Sequence, residues 1–180
     1  MSRTSILHPI AVLSFTALLA SCQKEEDSAP VTDLTLRQEL TFTIPPGQQG
    51  TVDLSTAFDA RGAVNGLLAQ HGSTPDQLRD VRIEDARAVM IEPVNARFTN
   101  VVSVHLGYAG PDGQLAAFAH IDPVPADQGI LELGVYHTDL TASFTGSPQD
   151  VHAVLALNGR TGDQAMRVRF ALEFRVKVGE

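Results

Sequence analysis

The last stretch of the chain alternates without a break. Met166, Val168, Phe170, Leu172, Phe174, Val176 and Val178 are separated by Arg167, Arg169, Ala171, Glu173, Arg175 and Lys177. A period of two sends successive side chains to opposite faces of an extended backbone, so the pattern predicts a long strand with one face in a core and the other in water. Leu36, Leu40, Phe42 and Ile44 make the same kind of face against Arg37, Glu39, Thr41 and Thr43. Pro45-Pro46-Gly47 ends that strand, because proline has no N–H to give to a ladder. Thr51 to Phe58, Val81 to Ile91, Phe98 to Tyr108, Gln114 to Ile121, Ile130 to His137 and Val151 to Leu157 read as further strands. In one of them Phe98, Val102, Val104, Leu106 and Tyr108 are expected to share the buried face, with Thr99, Ser103 and His105 opposite. Gly110-Pro111-Asp112-Gly113 predicts a tight hairpin. Asn158 to Gly162 reads as the connection of a closing hairpin.

Helix is sparse. Asp59 is a capping residue for Ala60 to His71, with Gly72 just beyond its end. Thr74-Pro75-Asp76-Gln77 has the capping-box form, which predicts one helical turn, and Thr138 to Thr145 predicts another. The whole reads as an all-β protein: an immunoglobulin-like antiparallel β-sandwich of seven or eight strands with one or two short helices.

The first thirty residues follow another pattern. Arg3 precedes an apolar run from Ile10 to Ala20, about the length of a secretory signal core and too short to span a bilayer. The only cysteine, Cys22, follows at once. Leu19-Ala20-Ser21-Cys22 resembles a bacterial lipobox. That resemblance implies cleavage before Cys22 and attachment of diacylglycerol to its sulfur, with a further acyl chain on its amine. Two or three chains, at about 0.8 kcal/mol per buried methylene, anchor a protein for good. Gln23-Lys24-Glu25-Glu26-Asp27 resembles the Lys-plus-acid export signal of Bacteroidota surface lipoproteins, which implies the exterior face of the outer membrane. The other reading of the same run is a solvated spacer. Asp27-Ser28-Ala29 is similar to a short O-glycosylation motif with Ser28 as acceptor.

These marks divide the chain into a signal peptide (1–21), a lipidated tether (22–34) and a sandwich domain (35–180). From Thr35 to Val178, with "LELGVYHTDLTASF" and "VHAVLALNGRTGDQAMRVRFALEFRVKV" as local marks, the chain resembles single-domain Bacteroidota surface lipoproteins. The resemblance implies fold and location, and no reaction.

Charge narrows the partners. Losing Arg3 with the leader leaves 12 basic against 21 acidic residues. That balance argues against nucleic acid and against a domain lying flat on anionic lipid. The partners expected are the membrane, through the lipid, and an envelope or extracellular protein, with glycan as the alternative.

No catalytic residue and no cofactor is expected. His120/Asp122 and His137/Asp139 are two His-x-Asp pairs that could share a metal if their strands were neighbours, the basis of a metal-dependent hydrolase alternative. Against it, Asp122 precedes Pro123 and Asp139 reads as a turn cap. Glu84 and Asp85 are adjacent, so on a regular strand they face opposite sides and cannot pair for glycoside cleavage. Sugar sites commonly stack an aromatic ring on the sugar. The chain has no tryptophan and two tyrosines, Tyr108 and Tyr136, both expected to pack inward. Recognition is therefore expected from loops: Pro45 to Gly50, Ala109 to Gln114, Ile121 to Gly129 and Asn158 to Asp163.

Overall fold

The alternating segments fold as strands that bury their apolar faces. The computed structural model describes residues 31–109, 114–146 and 149–179. In chain order the elements are β1 (Val31–Ile44), β2 (Gln49–Phe58), α1 (Ala60–Gln70), a 3-10 turn (Pro75–Gln77), β3 (Leu78–Glu92), β4 (Val101–Ala109), β5 (Leu115–Ile121), β6 (Ile130–Glu132), β7 (Gly134–Val135), α2 (Thr141–Thr145), β8 (Gln149–Arg160) and β9 (Met166–Gly179). One sheet has the order β1-β9-β3-β6 and the other β2-β8-β4-β5-β7. The strand pairings are antiparallel. The expected antiparallel sandwich is the fold observed.

Its connectivity is finer than the sequence pattern shows. Leaving aside the two-residue β7, the chain crosses between sheets at every connection except β4–β5. That order, four strands facing four, is a jelly roll. β8 and β9 therefore do not form the expected hairpin. They lie in different sheets, with β8 between β2 and β4 and β9 between β1 and β3. Ile130 to His137, read as one strand, is two: β6 pairs with β3, and after Leu133 the chain changes sheet so that β7 pairs with β5. β1 also begins earlier than expected, because Val31 and its successors continue the ladder onto Gly179 and Val178.

The core lies between the sheets. Val168, Phe170, Leu172, Phe174 and Val176 of β9 are each at most 2% exposed. Burying side chains of this size contributes about 1.5–3 kcal/mol each. Phe174 packs against Phe144 of α2 at 5.1 Å, and Phe144 meets Phe58 at 5.9 Å edge-on. This aromatic cluster fills the end of the core at which the helices sit, and Val64 and Leu68 of α1 are buried with it. The caps expected from sequence are made: the Gly62 N–H donates to Asp59 Oδ1 at 2.8 Å, and the Thr74 N–H to Gln77 Oε1 at 2.8 Å.

Bulges account for the local departures. One between Val101 and Ser103 turns Val102 outward, 40% exposed, and buries Ser103. Val102 is thus not on the core face assigned to it. Another between Ile83 and Asp85 puts Glu84 and Asp85 both toward solvent. The opposite-face argument fails for them, yet each has its own cation: Glu84 meets Arg175 and Asp85 meets Arg87, both at 3.1 Å.

Candidate functional site

Strand direction sorts the loops into two ends. β1, β3, β5 and β8 finish, and β2, β4, β6 and β9 start, at one end. That end carries the connections 45–48, 93–100, 122–129 and 161–165. The opposite end carries α1, α2, the first residue of β1 and the last of β9. Three of the four loops expected to carry recognition, 45–50, 121–129 and 158–163, thus meet at one place. The fourth, 109–114, belongs to the other end, and its residues 110–113 lie outside the described residues. The loop 93–100 joins the cluster and was missed. Pro93 and Asn95 are turn residues that could have marked it.

Backbone hydrogen bonds stitch these loops into a crown. Thr161, 3% exposed, is the main fastener. Its N–H donates to Gln48 O at 2.8 Å, its Oγ1 accepts from the Gln48 N–H at 2.8 Å, and its hydroxyl donates to Pro45 O at 3.3 Å. Gly47, at φ +71°, lies under the Arg160 guanidinium, where a Cβ would come within 2.7 Å of a guanidinium nitrogen. The Asn158 N–H donates to Asn100 O, and the Phe98 N–H to Gln128 O, both at 2.8 Å. Phe98 is the apolar plug of its loop, 1% exposed. Arg97 donates to Asp127 O and ties loop 93–100 to loop 122–129.

Two open hollows of about 480 and 430 Å³ flank the Ala96–Arg97 segment. Asn95, Gln128 and Asp127 line the first, with Asn100, Gln164 and Asp163 in the second. Carboxamides offer both donors and acceptors, and Arg97 adds a fixed cation between them. Asn95 (φ 63°) and Asp127 (φ 58°) are the non-glycine residues with positive φ among those described. Both line the same hollow, held left-handed where Asn and Asp are tolerated best. Val94, 81% exposed, and Ile130, 55% exposed, give the rim apolar contact area. The arrangement suits a polar partner held by many hydrogen bonds, and its preorganised loops lower the ordering cost of binding.

The other residues singled out in the sequence lie elsewhere. His120 sits on the outer face of the second sheet, its ring stacked at 4.6 Å on Tyr136 and at 6.1 Å on His105. Tyr136 is 41% exposed, contrary to the inward packing expected of it, because the chain has left the core at β7. Tyr108 is buried as expected, and burial pushes its phenol well above the ordinary range. Asp122 and His137 are exposed. Asp139 accepts from the Thr141 N–H at 2.8 Å at the start of α2, and its bonds to Thr141 hold its carboxyl below the usual range. Among the described residues no three His, Cys, Asp or Glu side chains converge on one point, so the two His-x-Asp pairs are not brought together as a metal centre. A pair the sequence reading missed is His152 Nδ1 to Asp53 Oδ1 at 2.9 Å across β8 and β2. Its only forewarning was alternation on two separate strands. Ser55 lies directly opposite His152 in the β2–β8 ladder. Cys22, the run Gln23, Lys24, Glu25, Glu26 and Asp27, and Ser28 lie outside the described residues.

No protein-family model matches the chain, and no relative is found among curated proteins. Among solved structures the chain is similar to a decameric BFDV capsid protein, with TM-score 0.46 and 12% identity over 84% of this chain and 100% of that one. It is also similar to a 60-mer of the BFDV capsid protein (TM-score 0.42, 12% identity, 85% and 95% covered) and to Desmodium yellow mottle tymovirus (0.37, 11%, 99% and 96%). At such scores the fold assignment rests on this chain's own strand pairing.

Proposed function

We propose that this protein is a lipid-anchored module of the cell envelope, held at the exterior of the outer membrane through Cys22, which binds a protein partner with its crown of loops and carries out no reaction. The observation behind this reading is the placement of the crown. Residue 31 starts β1 at the helix-bearing end, so a tether over residues 22–30 joins there. β1, at about 3.3 Å per residue, sets the crown some 46 Å away along the strands. Recognition and attachment then use opposite ends of one rigid body.

Cys22→Ala is expected to move the chain from the membrane fraction to the soluble fraction. Undiminished sedimentation with membranes would overturn the anchor. Protease treatment of intact cells should remove the domain, and complete protection would rule out the exterior face. A photo-crosslinking residue at Val94 should give one discrete adduct on intact cells, whereas the same residue at Asp150, at the other end, should give none. The reverse pattern would place recognition elsewhere.

A glycan-contacting role is the second reading, favoured by the exposed Tyr136 ring and the carboxamide-lined hollows. Binding on a glycan array that is lost in Tyr136→Ala would establish it over the first.

A further inference from the structure

Edges are where a sheet is open to another chain, and three of the four in this sandwich are short or interrupted. β6 has three residues and β7 two, while the register of β2 shifts between Gln49 and Gly50. Short strands and bulges are the usual protections of an edge. β1 has neither. Its pairing with β9 runs unbroken from Val31↔Gly179 to Ile44↔Met166, it contains no proline, and among the described residues no strand pairs along its other side.

We infer that β1 is a self-pairing edge: a second copy of this chain docks antiparallel along it, with the two Gln38 residues opposite each other, to make one continuous eight-stranded sheet. The sequence of β1 is complementary to itself in that register. Arg37 falls opposite Glu39, and Glu39 opposite Arg37. Thr35 falls opposite Thr41 and Asp33 opposite Thr43. On the core face Leu36 meets Leu40 and Leu34 meets Phe42. Directly opposed residues point to the same side, so the buried faces of the two copies become one surface. Neighbouring registers fail for simple reasons. A shift of one residue turns the apolar set to water, and a shift of two puts Arg37 opposite Arg37 or Glu39 opposite Glu39. Both charges are exposed enough to reach a second copy while keeping a partner of their own. Arg37 is 80% exposed despite its 2.9 Å pair with Glu173, and Glu39 is 62% exposed beside Arg169 at 3.5 Å.

The operation is a two-fold axis through Gln38, so the contact closes as a dimer and does not propagate. It leaves both crowns open, one at each end of the pair. The two tethers then leave from opposite ends, about 45 Å apart. In a lipid-anchored pair the strands would run along the membrane. Each crown would lie at the end where the other copy's tether leaves, so the separation of recognition from attachment holds within each copy and not across the pair.

The test uses the full chain as it is made in cells. Gln38→Cys places two thiols at an opposed pair, within disulfide reach. Mild oxidation should give a covalent dimer on a non-reducing gel. The unaltered chain, which controls for Cys22, should give none, and nor should Asp33→Cys, whose opposite residue is Thr43. In purified protein Arg37→Glu should weaken dimerisation about tenfold, by turning two attractive pairs repulsive. Adding Glu39→Arg to it should restore the dimer, an outcome that loss of folding could not produce. The inference fails if Gln38→Cys cross-links no better than Asp33→Cys. It fails equally if the charge swap does not restore what Arg37→Glu removes, or if the protein is a monomer whose β1 amides are protected by its own residues 22–30.

Discussion

Thr161 shows how much one hydroxyl decides at the crown. It accepts from the Gln48 N–H and donates to the Pro45 carbonyl, so two loops that each cross between the sheets share one buried fastener. Thr161→Val keeps the shape and leaves the Gln48 N–H without its acceptor. The expected loss is about 1–3 kcal/mol, read from the urea midpoint at unchanged slope. Tyr108 is the converse case, since its hydroxyl is buried with no partner among the described residues. Tyr108→Phe is expected to leave stability unchanged or raise it by up to about 1 kcal/mol. It should also flatten the alkaline limb. A phenol raised in the folded state favours folding below its ordinary value near 10 and loses that contribution as the unfolded chain ionises above it. Stability of the unaltered chain should therefore fall above pH 10, and that of the Phe variant should fall less. An equal fall would show that Tyr108 ionises in place.

At the scale of elements, β9 and α1 are held in different ways. β9 is stable through what surrounds it, with β1 on one side, β3 on the other and the core beneath. α1 is an eleven-residue helix with two glycines, and helices that short are marginal without packing. It rests on Val64 and Leu68 inside and on Asp59 at its start. Asp59→Ala should cost about 1 kcal/mol, detected by thermal unfolding. Hydrogen exchange in α1 should rise while β9 stays protected. The charged outer face of the first sheet contributes less than its appearance suggests. Arg37–Glu173, Arg87–Glu132 and Arg167–Glu92 are all solvent-exposed pairs, each worth about 0–1 kcal/mol.

For the molecule as a whole, the last strand closes the fold. β9 joins β1 to β3 in the middle of one sheet, so a chain ending at residue 165 loses the strand that holds its neighbours together. Such a truncation should abolish cooperative unfolding and the β-sheet circular dichroism signal. A truncated chain with a sharp thermal transition would mean that the second sheet is stable by itself. Jelly rolls bring the first and last strands together, and the register Val31↔Gly179 is the local expression of that closure.

The strand content, the buried faces of β1, β8 and β9, the caps at Asp59 and Thr74, and the two-sheet sandwich follow from local pattern. Period-two alternation and side-chain-to-backbone capping involve residues close in sequence, so their signal is written there. Which strands are neighbours is not local. β8 pairs with β2 and β4 rather than with β9 because the connection 161–165 crosses between sheets, and a turn-rich segment reads the same whether it closes a hairpin or bridges a sandwich. The bulges that expose Val102 and turn both Glu84 and Asp85 toward solvent are features of strand pairing. The same packing gathers loop 93–100 with the other three, leaves Tyr136 outside the core, and sets His152 beside Asp53. Each of those depends on contacts between residues far apart in the chain, and only the folded arrangement decides them.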